Sequence, residues 1–182
     1  MAESWLYPLT LRTMAEQHEL NLMPLMAFGA RIALPAGVPS GTGRIQIDVV
    51  AADAAQRTLV LAECKDFITY QGISMCSEQL ILNTYLLKTC RTGKLGRGQH
   101  QVEVAALADY RLIRYVSLGG YQGTKYANAR TGTDDEARQR LDMYLAYMNA
   151  IGRCGIGVLL FRDAQSSAIV KRATPCNWAE AT

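Results

Sequence analysis

Thr58-Leu59-Val60-Leu61-Ala62-Glu63-Cys64-Lys65 is the stretch on which the reading of the fold turns. Residues 59–62 are apolar without interruption, so the alternation of a strand with one wet face is missing. Such a run reads as a strand buried on both faces and therefore central in its sheet. Two charged residues stand at its end. Side chains two apart on a strand point the same way, so Glu63 and Lys65 share the face of Leu59 and Leu61, and Cys64 turns to the other. Upstream, Arg44-Ile45-Gln46-Ile47-Asp48-Val49-Val50 reads as a second strand in which Asp48 is out of phase with Ile45, Ile47 and Val49. The polar linker over residues 53–57 is short. The two strands are expected to pair, bringing Asp48 towards Glu63.

Working outward, residues 4–20 read as a helix with Leu11, Met14, Ala15 and His18 on one stripe and Trp5, Leu9 and Leu20 on a second. Residues 25–34 resemble a strand, ended by a turn-rich stretch at 35–43. A helix is expected over 77–90, apolar around most of its circumference. A strand follows at 111–118 and opens into a loop rich in Gly and Tyr at 119–132. Thr133-Asp134-Asp135-Glu136 has the spacing of a capping box. Leu141, Tyr144, Leu145 and Met148 then follow at helical spacing, and Gly152 suits the stop. Residues 155–161 and 168–171 read as two closing strands. The order is α-β-β-β-α-β, then α-β-β, which describes one α/β domain over residues 1–182 with a mixed sheet and helices on both faces.

The 182 residues are 49% hydrophobic and 19% charged, an ordinary globular balance. Five cysteines without a CxxC pair, and only His18 and His100 as histidines, argue against a structural zinc site. Reduced thiols are the simpler reading. The first residues lack the charged and apolar regions of a signal peptide, and no apolar run is long enough to span a bilayer. A cytoplasmic protein without a membrane partner is the expectation.

Two carboxylates in close proximity repel and raise each other's pKa. A divalent cation relieves that repulsion, and Mg²⁺ favours one or two carboxylates together with waters and phosphate oxygens. A metal so held polarises a phosphate oxygen and activates water. A neighbouring ammonium, here Lys65, can hold that water and offset charge building on phosphorus. The backbone carbonyl of Cys64 offers a further ligand.

Asp48, then Glu63-Cys64-Lys65 on the next strand after an initial helix, resembles the PD-(D/E)xK nuclease superfamily, and the element order over about residues 4–118 is similar to that family's core. Ile47, not proline, precedes Asp48. The resemblance implies a restriction-endonuclease-like αβββαβ core with a C-terminal helix and β-hairpin added. It implies metal-dependent cleavage of DNA, less often RNA, using Mg²⁺ or Mn²⁺. Asp48 and Glu63 would be metal ligands and Lys65 the catalytic lysine. A first-helix glutamate often joins such sites, so Glu16 or Glu19 is a candidate ligand. Glu16 is favoured if the stripe of Trp5, Leu9 and Leu20 faces the sheet. Gln79 stands for the glutamine that some branches carry on the helix after the motif; Asn83 occupies the position of their tyrosine. The family also implies a homodimer or a larger nuclease complex.

Residues 86–100 carry Lys88, Arg91, Lys94 and Arg97 without an acid, and residues 111–132 carry Lys125 and Arg130 among tyrosines, again without an acid. Such segments suit phosphate tracking and base stacking. Each feature has a plainer alternative. Glu63 and Lys65 can form a surface ion pair, Glu16 an i,i+4 partner for Arg12, Gln79 a helix-start hydrogen bond, and the basic segments solvated loops. The rival to a nuclease is a non-catalytic nucleic-acid-binding or assembly subunit with the same fold.

Overall fold

A computed structural model describes residues 4–26, 31–33, 44–65, 70–89, 94–97, 100–119, 134–151, 155–165 and 167–181. Along the chain come α1 (Leu6–His18), β1 (Met23–Pro24), β2 (Arg31–Ala33), β3 (Arg44–Gln46), β4 (Val49–Asp53) and β5 (Thr58–Lys65). After them come α2 (Tyr70–Thr89), β6 (Lys94–Arg97), β7 (His100–Glu103) and, past a 3-10 turn at Val104–Asp109, β8 (Arg111–Leu118). The chain closes with α3 (Asp134–Ala150), β9 (Gly157–Leu160), β10 (Ile169–Lys171) and β11 (Cys176–Asn177), then a 3-10 turn at Trp178–Glu180.

The central sheet has the order β1-β4-β5-β8-β9-β10, with β11 against the start of β8. β1, β4 and β5 are antiparallel neighbours. β8 lies parallel to β5 over its whole length, Thr58 opposite Arg111 and Lys65 opposite Leu118. A parallel neighbour demands a crossover, and α2 supplies it; α3 does the same between β8 and the parallel β9. β10 returns antiparallel on β9. The result is an α/β fold with a mixed sheet flanked by helices on both faces.

β5 is buried along residues 58–64 and half-buried at Lys65, as its unbroken apolar run requires. Its alternate residues serve two cores. Val60, Ala62 and Cys64 pack with Val49, Ala51, Ile113 and Tyr115 beneath Leu6 and Met14 of α1. Leu59 and Leu61 pack with Ile73, Cys76, Leu80 and Leu87 of α2 and with Leu141, Tyr144 and Met148 of α3. The C-terminal turn of α1 is tied down at Tyr115, whose hydroxyl accepts from the Ala173 N–H at 3.0 Å and meets His18 Nε2 at 2.9 Å. Burial, aided by Arg172 and Arg111, lowers the His18 pKa.

Several boundaries differ from the sequence reading. Residues 44–50 are two strands: β3 pairs with β2 in a small separate sheet, β4 runs on to Asp53, and Ile47 and Asp48 lie in the break. Residues 25–34 are not one strand either, since the main sheet takes Met23 and Pro24 instead. α2 begins seven residues before position 77, because buried small and polar residues such as Cys76 and Ser77 continue its inner face where hydrophobicity alone fades. The β6–β7 hairpin has no counterpart in the reading, although Leu95 and Val102 face each other across it and are buried. α3 starts at Asp134 as the capping box requires, while the contacts of Thr133 and Glu136 fall outside the described residues.

β9 passes β8 closely. A Cβ on Gly157 would clash with the Tyr115 ring and stand 2.7 Å from the Ala173 backbone nitrogen. Neither neighbour is a flexible side-chain end. Gly157→Ala is expected to cost about 1–3 kcal/mol through overpacking, read as a lowered denaturant midpoint with an unchanged slope.

Candidate active site

The C-terminal ends of parallel strands are where ligands gather in open α/β sheets, and β5 delivers Glu63 and Lys65 to that edge. Asp48 reaches the same edge from the other direction. With Val49 opposite Ala62 in the antiparallel register, the residue before Val49 falls opposite Glu63. The strand breaks there, and the Asp48 carboxylate takes over as acceptor. Its Oδ2 receives the Cys64 backbone N–H at 2.8 Å, and its Oδ1 receives the Tyr7 hydroxyl from the first turn of α1 at 3.2 Å.

Glu63 turns to the α2 side. Its Oε1 accepts from Asn83 Nδ2 at 2.9 Å, and the same amide donates to the Gln46 carbonyl at 2.8 Å. Asp48 and Glu63 are 4% and 2% exposed, so neither is a strand end reaching solvent. The Glu63 pKa is raised to about 9, first by burial, then by the charge of Asp48 and a hydrogen bond to its carboxyl. Lys65 and Asn83 oppose that rise. Beside a second buried carboxyl Glu63 keeps its proton well above the ordinary carboxylate range, because ionising it there is costly. Lys65, half-buried at the rim, is the nearby positive charge.

The Cys64 thiol faces the other side of the sheet, 3.8 Å from Thr10 Oγ1, which shares a 2.6 Å hydrogen bond with Ser117 Oγ. Burial pushes that thiol well above its ordinary range, helped by the charge of Asp48. A neutral, enclosed thiol is a packing group and not a nucleophile.

Other candidates stand elsewhere. Glu16 is exposed on α1 and pairs with Arg12 at 4.0 Å. It follows Tyr7 by nine residues, roughly 13 Å along the helix axis, while α1 lies on the sheet face away from Glu63. Glu19 is exposed in the left-handed residue that ends α1. Gln79 is exposed on α2, and Asn83, one turn further on, reaches Glu63 instead. Lys88 is spent on the C-terminal turn, its ammonium donating to the carbonyls of Ala179 and Ala181 at 3.0 and 2.6 Å. Lys94 pairs with Glu103 at 3.0 Å. Arg91, Lys125 and Arg130 lie outside the described residues, as does the side chain of Arg97.

Tyr7 and Asn83 are the contributions that the sequence reading missed. Asn83 carried a faint signal, as an amide set among the apolar residues of the second half of its helix. Tyr7 carried none, because its partner is 41 positions away. Among the described residues no group of three or more His, Cys, Asp or Glu side chains gathers to hold a metal; the acid set is the pair Asp48 and Glu63. Family models, curated proteins and solved structures were compared with the chain, and none matches.

The raised Glu63 pKa sets a pH dependence of stability. The folded state keeps a proton that the unfolded carboxyl, with an ordinary pKa near 4.5, has released. Stability from that proton is full below about pH 4.5 and drains away as pH climbs to about 9. Metal-free protein is therefore expected to melt at progressively lower temperature from pH 5 to pH 9. Glu63→Gln, whose amide imitates the protonated acid, should flatten that decline. An equally steep decline in the variant would show that another group causes it.

Proposed function

We propose that the chain is a Mg²⁺- or Mn²⁺-dependent nuclease of the PD-(D/E)xK type, acting on DNA. The observation that carries this reading is the buried contact between Asp48 and Glu63, delivered by adjacent strands, with Lys65 two residues along the same strand face. The order of elements supports it. Once the small β2–β3 and β6–β7 sheets are set aside, α1, the antiparallel β1, β4 and β5, the crossover helix α2 and the parallel β8 come in the αβββαβ order of the restriction-endonuclease-like core.

The donor set suits the ion. Hard oxygen ligands in small number are what Mg²⁺ accepts. Burial first, and then the charge of Asp48, raise the Glu63 pKa, and a cation between the two acids would relieve the second of these. Asp48 and Glu63 would hold the metal, with the Cys64 carbonyl as a further ligand. When bound, it supplies Lewis-acid polarisation of the phosphate and lowers the pKa of water. Tyr7 and the Cys64 N–H fix the Asp48 carboxylate, and Asn83 fixes Glu63, so both acids are oriented before the ion arrives. Lys65 aligns the attacking water in line with the scissile bond and offsets the charge developing on the non-bridging oxygens.

Purified protein incubated with plasmid and single-stranded DNA should cut in Mn²⁺ or Mg²⁺ and stop in EDTA. Lys65→Ala should lower the rate by about 10²–10³-fold while leaving the melting temperature within a few degrees. Salt-sensitive DNA binding that ignores EDTA, with no cleavage in either metal, would replace this reading with the non-catalytic binding subunit.

A further inference from the structure

Away from the acids, the opposite end of the sheet gathers positive charge on the α1 face. Arg111 opens β8, where it stands opposite Thr58, the first residue of β5. Alternation sets it on the face of Ile113 and Tyr115, which pack beneath α1. Arg172 comes directly after β10, in phase with Ala168 and Val170 on that same face. The register that puts Lys171 opposite Val158 brings Arg172 beside Gly157, and the bare Gly157 lets the Tyr115 ring cross towards the Ala173 N–H. His18, in the last turn of α1, meets the Tyr115 hydroxyl at that crossing. Tyr115 is fully buried, so its hydroxyl proton needs an acceptor. His18 Nε2 supplies it, which places the ring proton on Nδ1.

These cations have no acid to answer them. Arg111 and Arg172 are exposed, and among the described residues neither forms an ion pair. Asp109, two residues before Arg111, is held by Arg57 at 3.8 Å. The end of α1 is closed by its own backbone, the Glu19 and Leu20 N–H groups both turning back to the Ala15 carbonyl, so the arginines are not needed to close it. The last turn of a helix ordinarily favours a charged histidine. Here burial first, then Arg172 and Arg111, lower the His18 pKa, and no carboxylate, Glu19 included, acts on the ring. Arg172 also acts on the Tyr115 hydroxyl, so its charge lies close to the same hydrogen bonds. Like charges brought together from three elements repel, and an anion between them reverses the sign of that interaction. Guanidinium groups match a phosphate in charge and in paired-donor geometry, and the His18 Nδ1–H adds a further donor. We propose that Arg111, Arg172 and His18 form a phosphate-binding site, roughly 20 Å from the acid pair along β5, that takes a free phosphate or a backbone phosphate of a nucleic acid. The site stands whether or not the acids cut phosphodiesters, since none of its residues belongs to the acid site.

Histidine ring signals of the full chain, followed by proton NMR in EDTA, test the site. His18 and His100 are the two histidines, and His100→Gln identifies the His18 signal. Exchanging chloride for inorganic phosphate at equal ionic strength should raise the His18 titration midpoint by about half a pH unit or more, because a bound anion favours the imidazolium. Arg172→Gln by itself should raise the midpoint in chloride, so the readout is the difference between the two salts. That difference should fall about twofold or more in Arg172→Gln or Arg111→Gln and vanish when the two are combined. Both positions are exposed, so the melting temperature should hold. A single-stranded oligonucleotide lacking terminal phosphates is the second probe. A rise with the oligonucleotide identifies a nucleic-acid backbone as the occupant, whereas a rise with inorganic phosphate alone identifies a free phosphate. No rise with either probe, or a rise that the double variant keeps, would overturn the assignment.

Discussion

Glu63 sits 2% exposed on a strand that has no wet face, beside a second acid. Water cannot solvate the pair, and an ionised carboxyl left there without partners would cost several kcal/mol. The protein meets that cost with donors drawn from different parts of the chain. Tyr7 comes from α1, the Cys64 N–H from β5 itself, and Asn83 from α2. The proton that Glu63 keeps completes the balance. Helices from both layers thus converge on one edge of the sheet, and the strand break at Ile47 and Asp48 is part of the same arrangement. A regular strand would have met Cys64 with a ladder carbonyl; the bend meets it with a carboxylate.

That convergence links packing to chemistry. Asn83 lies on the face of α2 that also buries Leu80 and Leu87, so the orientation of Glu63 is set by the docking of the crossover helix. Tyr7 follows Leu6, which is fully buried, so the grip on Asp48 is set by the docking of α1. An acid pair held from two sides cannot rearrange freely, so its geometry is set by the packing of both helices. Behind it, Thr10, Ser117 and Cys64 form a small closed polar cluster that satisfies its own hydrogen-bonding groups and keeps the thiol inert.

The basic residues behave differently from the acids. Lys88 and Lys94 are engaged within the chain, so net charge along a segment is a poor guide to where cations are displayed. The outer face of α2 makes the converse point. Its apolar residues look like core in a helix that is apolar nearly all round, yet only the inner side has the sheet to cover it.

The doubly buried strand at 58–65, its neighbour at 111–118 and the common face of Glu63 and Lys65 were all legible in the sequence, since each rests on local periodicity and on the alternation of side chains along an extended backbone. The approach of Asp48 to Glu63 was legible too, because a short connection leaves antiparallel neighbours little choice of register. The tertiary structure alone decided the rest. Glu16 and Asn83 both belong to helices beside the sheet, and which of them reaches the acids depends on how each helix is rotated and on which face of the sheet it rests. Those are properties of long-range packing, with Asn83 and Glu63 twenty positions apart and Tyr7 and Asp48 forty-one. No periodicity within a helix specifies what the facing layer presents to it, because that geometry exists only once both layers are in place.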